Sequence, residues 1–375
     1  MSASDAATAQ GMATRHKRSV KAVVAGVGEI NALLAKMMRP GKIKWGGFGT
    51  NFLWQVRKLK ETSSWVSGQL GTRSFEEKDP IDEATLPYCF IDETYGVSEK
   101  SIKTNRAAGQ MKLYDIQKEN ARNAQNALYR AFVDALYSDG SDALVPVGLF
   151  GVLGDCFATT NNVTTTGGYS YGGITVAASA VSVDNYDYST VSSVFTNEYW
   201  YPVMADIAEI PNIPATPKWS THSIHALNSL ARRMWRTADV SGTGEIIKPD
   251  MALLDDNLYS ALISLLITSQ KDVAGVPVGT TDPVLAKFTT VRVGTLDVVY
   301  DPNVPKDSGS VSRAIVLDSN SYYIDSLNTK GEGLIEGEWT MKDPKVVGGI
   351  GLYKSNWGLV CKTPQAVGCI VGNDD

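Results

Sequence analysis

The chain lacks the sequence features of several protein classes. Its four cysteines stand far apart among 375 residues and form no CxxC pair, which excludes a disulfide framework. The 34 glycines follow no period, which excludes a collagen-like chain. The most apolar early stretch, residues 20–38, is interrupted by charged residues and is unable to span a bilayer. The first residues have no apolar signal-peptide core, so we expect a protein that is made and used without crossing a membrane.

One sign of charge is missing from a long segment. No Lys or Arg occurs between Arg130 and Lys218, a segment with nine acidic residues. Residues 1–60 instead carry eleven Lys and Arg against two acidic residues, a net charge of +9. Two opposite blocks of this size favour contact between unlike surfaces, within one molecule or between copies. The basic block also suits nonspecific contact with phosphate, whereas no zinc-finger spacing or aromatic RNP motif indicates base-specific binding.

The chain has ample material for a core. Eight Trp, sixteen Tyr and nine Phe exclude disorder as a description of the whole chain. Apolar spacing predicts helices over residues 20–38, 101–138, 187–210, 220–237 and 257–268. Strands are predicted over residues 290–293, 296–300, 314–317, 322–325, 346–354 and 357–371. Because helices and strands are segregated along the chain, the predicted class is α+β.

Residues 55–99 form an unusual segment. Short alternating runs are separated by turn residues and interspersed charges, which predicts about 45 residues of extended, hairpin-like chain. The segment has too few apolar residues to build its own core. Such a long excursion is typical of a functional loop or of a segment that packs on a neighbour.

A short motif raises an enzymatic alternative. Residues 168–172 (GYSYG) match the G-x-S-x-G nucleophile elbow around Ser170. Partners in the usual chain order are Asp184 or Asp206, followed by His222 or His225. An elbow requires a buried strand before the serine and a helix after it, but the flanking sequences are TTTGG and GITV. We therefore interpret the motif as a turn and keep a Ser170 hydrolase as an alternative hypothesis.

The sequence shows no other chemical site. His222 and His225 have no third ligand at metal spacing, and no nucleotide or cofactor fingerprint occurs. We therefore predict no metal, no cofactor and no catalytic residue, and thus a protein that is not an enzyme. A large chain with a core but no site favours a role in assembly.

The order of the parts is informative. Nine runs follow one another: 91–101 (IDETYGVSEKS), 113–116 (LYDI), 139–140 (DG), 146–149 (PVGL), 172–175 (GGIT), 247–266 (IKPDMALLDDNLYSALISLL), 295–305 (TLDVVYDPNVP), 314–318 (AIVLD) and 322–323 (YY). Together with the basic arm, the extended segment and the long helix, this order resembles the major capsid protein of tailed double-stranded DNA bacteriophages. The resemblance is to the Hong Kong 97-like fold and covers residues 45–375.

The resemblance implies a division of the chain. It comprises a basic arm (1–44), an extended loop with flanking strands (45–100), a peripheral domain (101–217) with a spine helix over about 101–138, an axial domain (218–325), and a return to the peripheral domain (326–375). The chain would assemble into hexamers and pentamers of an icosahedral head, formed in the host bacterial cytoplasm and enclosing double-stranded DNA. The virion would also hold a portal. Because no long scaffolding segment precedes the basic arm, scaffolding would come from a separate protein or be absent, and decoration proteins are further candidate partners.

Two groups of residues are candidates for assembly contacts. Arg57, Lys58, Lys60 and Trp65 of the extended loop are predicted to contact a neighbouring subunit. Arg15, Lys17, Arg18 and Lys21 are predicted to face the interior and its DNA, or to make arm contacts. A second hypothesis keeps the fold and changes the contents to an encapsulin-like compartment shell. Another α+β binding protein is the remaining alternative.

Overall fold

The structure is a computed structural model of the chain. It describes residues 31–39, 41–57, 81–98, 100, 110–154, 156–159, 162–165, 170–175, 200, 202–207, 218–241, 247–269, 285, 288–305, 313–331, 333–341 and 349–371.

Helices and strands are segregated along the described chain. The helices are α1 (Ala32–Met37), α2 (Gln110–Leu136), α3 (Leu149–Leu153), α4 (Trp219–Ser241) and α5 (Asp256–Ser269), with 3-10 turns at Ser319–Ser321 and Pro364–Ala366. The strands are β1 (Ile43–Trp45), β2 (Asn51–Arg57), β3 (Ile81–Pro87), β4 (Cys89–Val97), β5 (Cys156–Thr159), β6 (Asn162–Thr165), β7 (Ser170–Tyr171), β8 (Ile174–Thr175), β9 (Val203–Asp206), β10 (Met251–Leu254), β11 (Thr290–Val293), β12 (Leu296–Tyr300), β13 (Ala314–Leu317), β14 (Tyr322–Ser326), β15 (Glu336–Met341), β16 (Gly349–Cys361) and β17 (Val367–Val371).

The chain divides into two compact units. Unit 1 contains the described residues of Met1–Phe52, Pro87–Gly148 and Tyr323–Val360. Unit 2 contains those of Leu53–Leu86, Leu149–Tyr322 and Cys361–Asp375. The chain therefore passes between the units several times, so neither unit is a continuous piece of sequence.

Unit 1 is built on a five-stranded sheet with a long helix. The strand order is β1-β14-β16-β15, and β4 also pairs with β16. The thirteen-residue β16 is antiparallel to both β15 and β4. Helix α2 packs against β4, and the rings of Phe132 and Trp357 stack with centroids 4.8 Å apart. One face of this sheet is thus covered by the longest helix described.

Unit 2 is built on a six-stranded mixed sheet. The order is β11-β12-β10-β13-β17-β9, with parallel pairs β10–β12 and β17–β9. Every residue of β10, β13 and β17 is buried, which means that both faces of the sheet are covered. Helix α4 packs on β17 and β9, and α5 packs on β10 and β12. Trp219 Nε1 donates to the Leu258 carbonyl at 2.9 Å and joins these two helices.

Side-chain caps set where two helices begin. Asn31 has an extended backbone, and its Oδ1 accepts from the amides of Leu33 and Leu34 at 2.8 and 3.3 Å. The helix predicted over residues 20–38 therefore does not run through Asn31, because the residue serves as the N-cap of α1. Asp255 caps α5 in the same way, with Oδ1 accepting from the Leu258 amide at 3.0 Å.

Several predicted elements need correction. The helix predicted over residues 187–210 is wrong at its end, since Val203–Asp206 is a strand paired in parallel with β17. The break predicted between residues 354 and 357 is absent, because β16 continues unbroken to Cys361. Strands β10 and β15 were not predicted at all. The predicted strands at 290–293, 296–300 and 314–317 are confirmed.

Candidate assembly surfaces

The surroundings of Ser170 do not form a nucleophile elbow. Ser170 begins the two-residue strand β7, which pairs antiparallel with β8. Gly172 and Gly173 lie between the two strands with φ of 62° and 79°, the conformation of a tight hairpin turn. The serine is therefore followed by a turn and a strand where an elbow requires a helix.

The described residues offer no metal site. His222 and His225 both lie on α4, and the hydroxyl oxygen of Thr221 is 2.7 Å from His222 Nδ1. Within the described ranges, no group of three or more His, Cys, Asp or Glu side chains is placed to hold a metal ion. No helix in these ranges has the length and apolar character needed to span a membrane.

The base of the extended loop is a two-stranded sheet of β2 and β3. Phe52, Trp54 and Val56 alternate with exposed residues along β2, as expected for a strand with one buried face. In unit 2, Trp54 lies 5.9 Å from Tyr171 between ring centroids, and its Nε1 donates to the Lys362 carbonyl at 3.3 Å. The Thr85 amide also donates to the Gly172 carbonyl at 2.9 Å. The hairpin of β7 and β8 therefore anchors the base of the loop.

The other face of this base exposes apolar residues. Leu53 is 58% exposed and Ile81 is 48% exposed, each at positions that alternate with the buried ones. Arg57 is the last residue of β2. Lys58, Lys60 and Trp65 lie outside the described residues, as do the side chain of Arg57 and the arm residues Arg15, Lys17, Arg18 and Lys21. The structure thus places the start of the predicted contact loop but not its predicted contact side chains.

Polar contacts in unit 1 hold together the two ends of this excursion. The Tyr88 amide donates to the Thr50 carbonyl at 3.1 Å, and the Tyr88 hydroxyl donates to Asp325 Oδ1 at 2.9 Å. Burial raises the pKa of Asp325, while Tyr88 and Lys44 oppose the rise. Burial and the bond to Asp325 also raise the pKa of Tyr88. The tyrosine therefore stays protonated as a donor to the carboxylate.

The sheet of unit 1 has one covered and one exposed face. On the covered face, Tyr95 lies 5.9 Å from Tyr353 between ring centroids, and a Cβ at Gly351 would collide with the Tyr95 ring. On the opposite face, Phe90 is 65% exposed and Ile350 is 39% exposed. The exposed face was not predicted, because apolar residues occur on both faces of β4 and β16 although buried and more exposed positions alternate along them.

Charged residues occupy the same exposed face. Lys354 Nζ lies 3.0 Å from Glu338 Oε2, and this bond lowers the pKa of Glu338 and raises that of Lys354. Asp92 and Glu336 add further negative charge beside Lys354. Because the pair is solvent-exposed, it contributes little to stability. The exposed face therefore combines two apolar side chains with an ion pair.

No protein-family model matches the chain, and no curated protein sequence is significantly similar to it. Solved structures do match it over most of its length. The Cyanophage A-1(L) capsid asymmetric unit matches with a TM-score of 0.58 and 15% identity, covering 91% of this chain and 92% of that one. The capsid of an empty GTA particle matches with a TM-score of 0.50 and 11% identity, covering 89% and 94%.

An encapsulin is also similar in structure. The holo-SrpI encapsulin complex from Synechococcus elongatus PCC 7942 matches with a TM-score of 0.46 and 12% identity, covering 88% of this chain and 85% of that one. That similarity is too low to support an argument about this chain. The Cyanophage A-1(L) capsid match covers nine-tenths of both chains, so the α+β chain has the Hong Kong 97-like fold of phage capsid proteins.

Proposed function

We propose that this protein is a major capsid protein that assembles into hexamers and pentamers of an icosahedral phage head. The supporting observation is the fold similarity to the Cyanophage A-1(L) capsid subunit over nine-tenths of both chains. A match of that extent covers nearly all of the other chain, not one shared module. The exposed apolar residues Leu53, Ile81 and Phe90 give the chain surface that neighbouring copies can cover.

The extended loop makes contacts between subunits in this proposal. Its base is anchored in unit 2, and 23 residues, 58–80, separate the two strands of that base. Arg57, Lys58 and Lys60 supply positive charge for a neighbour, and Trp65 supplies an aromatic anchor. A shell repeats each contact in many copies, so modest individual contacts suffice to close it. Symmetric closure requires contacts between unlike surfaces of successive copies.

The basic arm contacts packaged double-stranded DNA through charge alone. Arg15, Lys17, Arg18 and Lys21 form a cluster suited to phosphate. The protein is not an enzyme in this proposal, and it resides in the virion after assembly in the bacterial cytoplasm. The remaining partners are a portal and, where the phage encodes them, separate scaffolding or decoration proteins. Residues 218–325 form the axial domain at capsomer centres, and residues 101–217 and 326–375 form the peripheral domain.

Electron microscopy of the purified protein, sized beforehand by sedimentation, tests the proposal. We expect closed shells or capsomer rings. A protein that remains a monomer with scaffold and crowding agents supplied would contradict it. Shells that hold an enzyme in place of DNA in the native host would favour the compartment alternative, and an esterase activity lost in Ser170→Ala would favour the hydrolase.

The loop contact has its own test. Reversal of Arg57, Lys58 and Lys60 to Glu should prevent assembly while the subunit stays folded. Reversal of Lys118, Lys218 and Lys330 to Glu is the matched control, because it makes the same charge change at three exposed sites. Particles from the first variant at control yield would refute the contact.

Substituting Ala at Arg15, Lys17, Arg18 and Lys21 should leave shells that retain less nucleic acid, measured by the ratio of absorbance at 260 and 280 nm.

A further inference from the structure

Unit 2 contains a cavity of about 500 Å³ that the proposed function does not use. One face of α4 lines it through Asn228, Arg232 and Trp235, which are spaced four and three residues apart. Lys248 and Thr295 also line the cavity. Arg232 and Lys248 are exposed, and Trp235 is 52% exposed although it is one of the largest apolar side chains. The lining is therefore an aromatic surface flanked by two cations.

The walls of the cavity are fixed by the fold. Gly294, in the turn between β11 and β12, has a φ of +61°, and a Cβ there would collide with Asn228 Oδ1. The Lys248 amide donates to Asp318 Oδ2 at 2.9 Å. Asp250, the acidic residue in the lining, accepts from the amide and hydroxyl of Ser319 at 2.8 and 2.6 Å. A preformed cationic cavity favours an anionic occupant at small conformational cost.

The loop after α2 in unit 1 has the complementary chemistry. Asp139 and Asp142 are exposed, and Leu144 is 81% exposed. Hydrogen bonds from the amide and hydroxyl of Ser141 lower the pKa of Asp139, which keeps it ionised. The loop lies in the segment between Arg130 and Lys218 that contains no Lys or Arg. The loop therefore presents two negative charges beside one large apolar side chain.

The loop is also held in shape. The Gly148 amide donates to the Ser138 carbonyl at 3.1 Å, which closes the segment at its ends. Asp142 Oδ1 accepts from the Leu144 amide at 2.9 Å and fixes the turn at the tip. A closed loop of this kind loses little freedom when it docks.

We propose that the Asp139–Leu144 loop of one copy docks into the Arg232–Trp235–Lys248 cavity of a second copy. Leu144 covers the Trp235 ring, and the two carboxylates meet the two cations. The contact joins unlike surfaces, so each copy offers one loop and one cavity, and successive copies form a ring where the rotation between them closes. This inference deepens the proposed function and rests on it, since it names one contact through which copies of the subunit assemble.

Complementary charge reversal tests the contact. The cavity variant carries Arg232→Glu and Lys248→Glu, and the loop variant carries Asp139→Lys and Asp142→Lys. Each alone places like charges together, so we expect the protein concentration needed for oligomers to rise at least about tenfold, by sedimentation velocity. A mixture of the two variants should oligomerise, because each cavity then finds a loop of opposite charge. The chain with all four changes should also oligomerise.

Control variants separate docking from folding and from general charge effects. Lys218→Glu with Lys330→Glu, and Glu119→Lys with Asp256→Lys, change charge equally at exposed sites outside both surfaces and should assemble like the parent. Asp139→Asn with Asp142→Asn keeps the acceptors that shape the loop and removes only its charge, so it should weaken assembly less than reversal does. Circular dichroism should match the parent for every variant.

Each outcome decides between the two proposals. Oligomers in the mixture with none from either single variant support the docking, and their absence in the mixture overturns it. Single variants that assemble like the parent overturn the docking and leave the capsid proposal intact. Small rings from the mixture without shells from any chain would support the docking and contradict the capsid proposal.

Discussion

The two sheets of the molecule differ in how many faces they bury. In unit 2, consecutive residues of β10, β13 and β17 are all buried, so both faces of the sheet belong to a core. In unit 1, buried and partly exposed residues alternate along most of β16, from Gly349 to Trp357, so one face meets α2 and the other meets solvent. The sheet buried on both faces belongs wholly to the core of its unit, whereas the half-buried sheet leaves one face open to solvent.

The largest predicted effect compares neighbours on opposite faces of β16. Tyr353 is fully buried beside Tyr95, whereas Leu352 is part of the exposed face. Tyr353→Ala should lower the free energy of unfolding by about 3–5 kcal/mol and Leu352→Ala by less than about 1 kcal/mol, measured by urea unfolding of the unassembled subunit. Equal losses for the two variants would mean that both faces are buried in the subunit.

The next largest effect is expected at two adjacent residues of β10. Leu253 and Leu254 are adjacent, fully buried, and on opposite faces of the unit 2 sheet. Leu253→Ala and Leu254→Ala should each cost about 2–5 kcal/mol by urea unfolding, since each leaves a cavity in a packed core. A loss confined to one of the two would contradict burial on both faces.

The difference in burial between the two sheets also explains which strands the sequence predicts. Strands β11, β12 and β13 are runs of β-branched and apolar residues between turn signals, and their bounds were predicted correctly. Strand β15, with sequence EGEWTM, mixes Glu and Gly with one aromatic residue and gives no such run. Strand β10 has only four residues, directly before the Asp255 cap of α5, and so short an apolar run does not distinguish a strand from a helix. Strand β9 resembles a helix end locally and is a strand because β17 pairs with it.

Surfaces were harder to predict than elements. The cavity beside Trp235 is lined by residues from α4, from 248–250, from the β11–β12 turn and from Asn320, which no local pattern connects. The exposed Leu144 lies in a loop that the sequence marks only as Asp-Gly punctuation. The cavity and the exposed position of Leu144 both depend on how segments far apart in the sequence pack together. Such packing leaves no signal within a window of ten residues. The predicted contact residues at 57–65 and 15–21 stay predictions.

A smaller effect should appear at the Tyr88–Asp325 bond in unit 1. Burial raises the pKa of Asp325 in the folded state, so the carboxylate holds its proton there to higher pH than in the unfolded chain. Its contribution to stability is therefore greatest below the unfolded pKa of about 3.9 and falls as pH rises through the folded value. Asp325→Asn removes the carboxyl group that titrates, and with it this loss of stability. The side-chain oxygen of the Asn still accepts the hydrogen bond from the Tyr88 hydroxyl. The stability of the variant relative to the parent should rise between pH 3 and pH 7 by urea unfolding, and a constant difference would contradict the raised pKa.

The smallest effect tests the exposed face itself. Lys354 bridges to Glu338 across β16 and β15, and both side chains are well exposed to solvent. Lys354→Ala should leave the melting temperature of the unassembled subunit within error, because an exposed pair gains little beyond the cost of ordering its side chains. The same variant leaves Asp92, Glu336 and Glu338 without their shared cation, so any neighbour on this face meets an altered charge. An unchanged melting temperature with reduced particle yield would assign the face to assembly. A lower melting temperature would instead mean that the charged residues of this face stabilise unit 1.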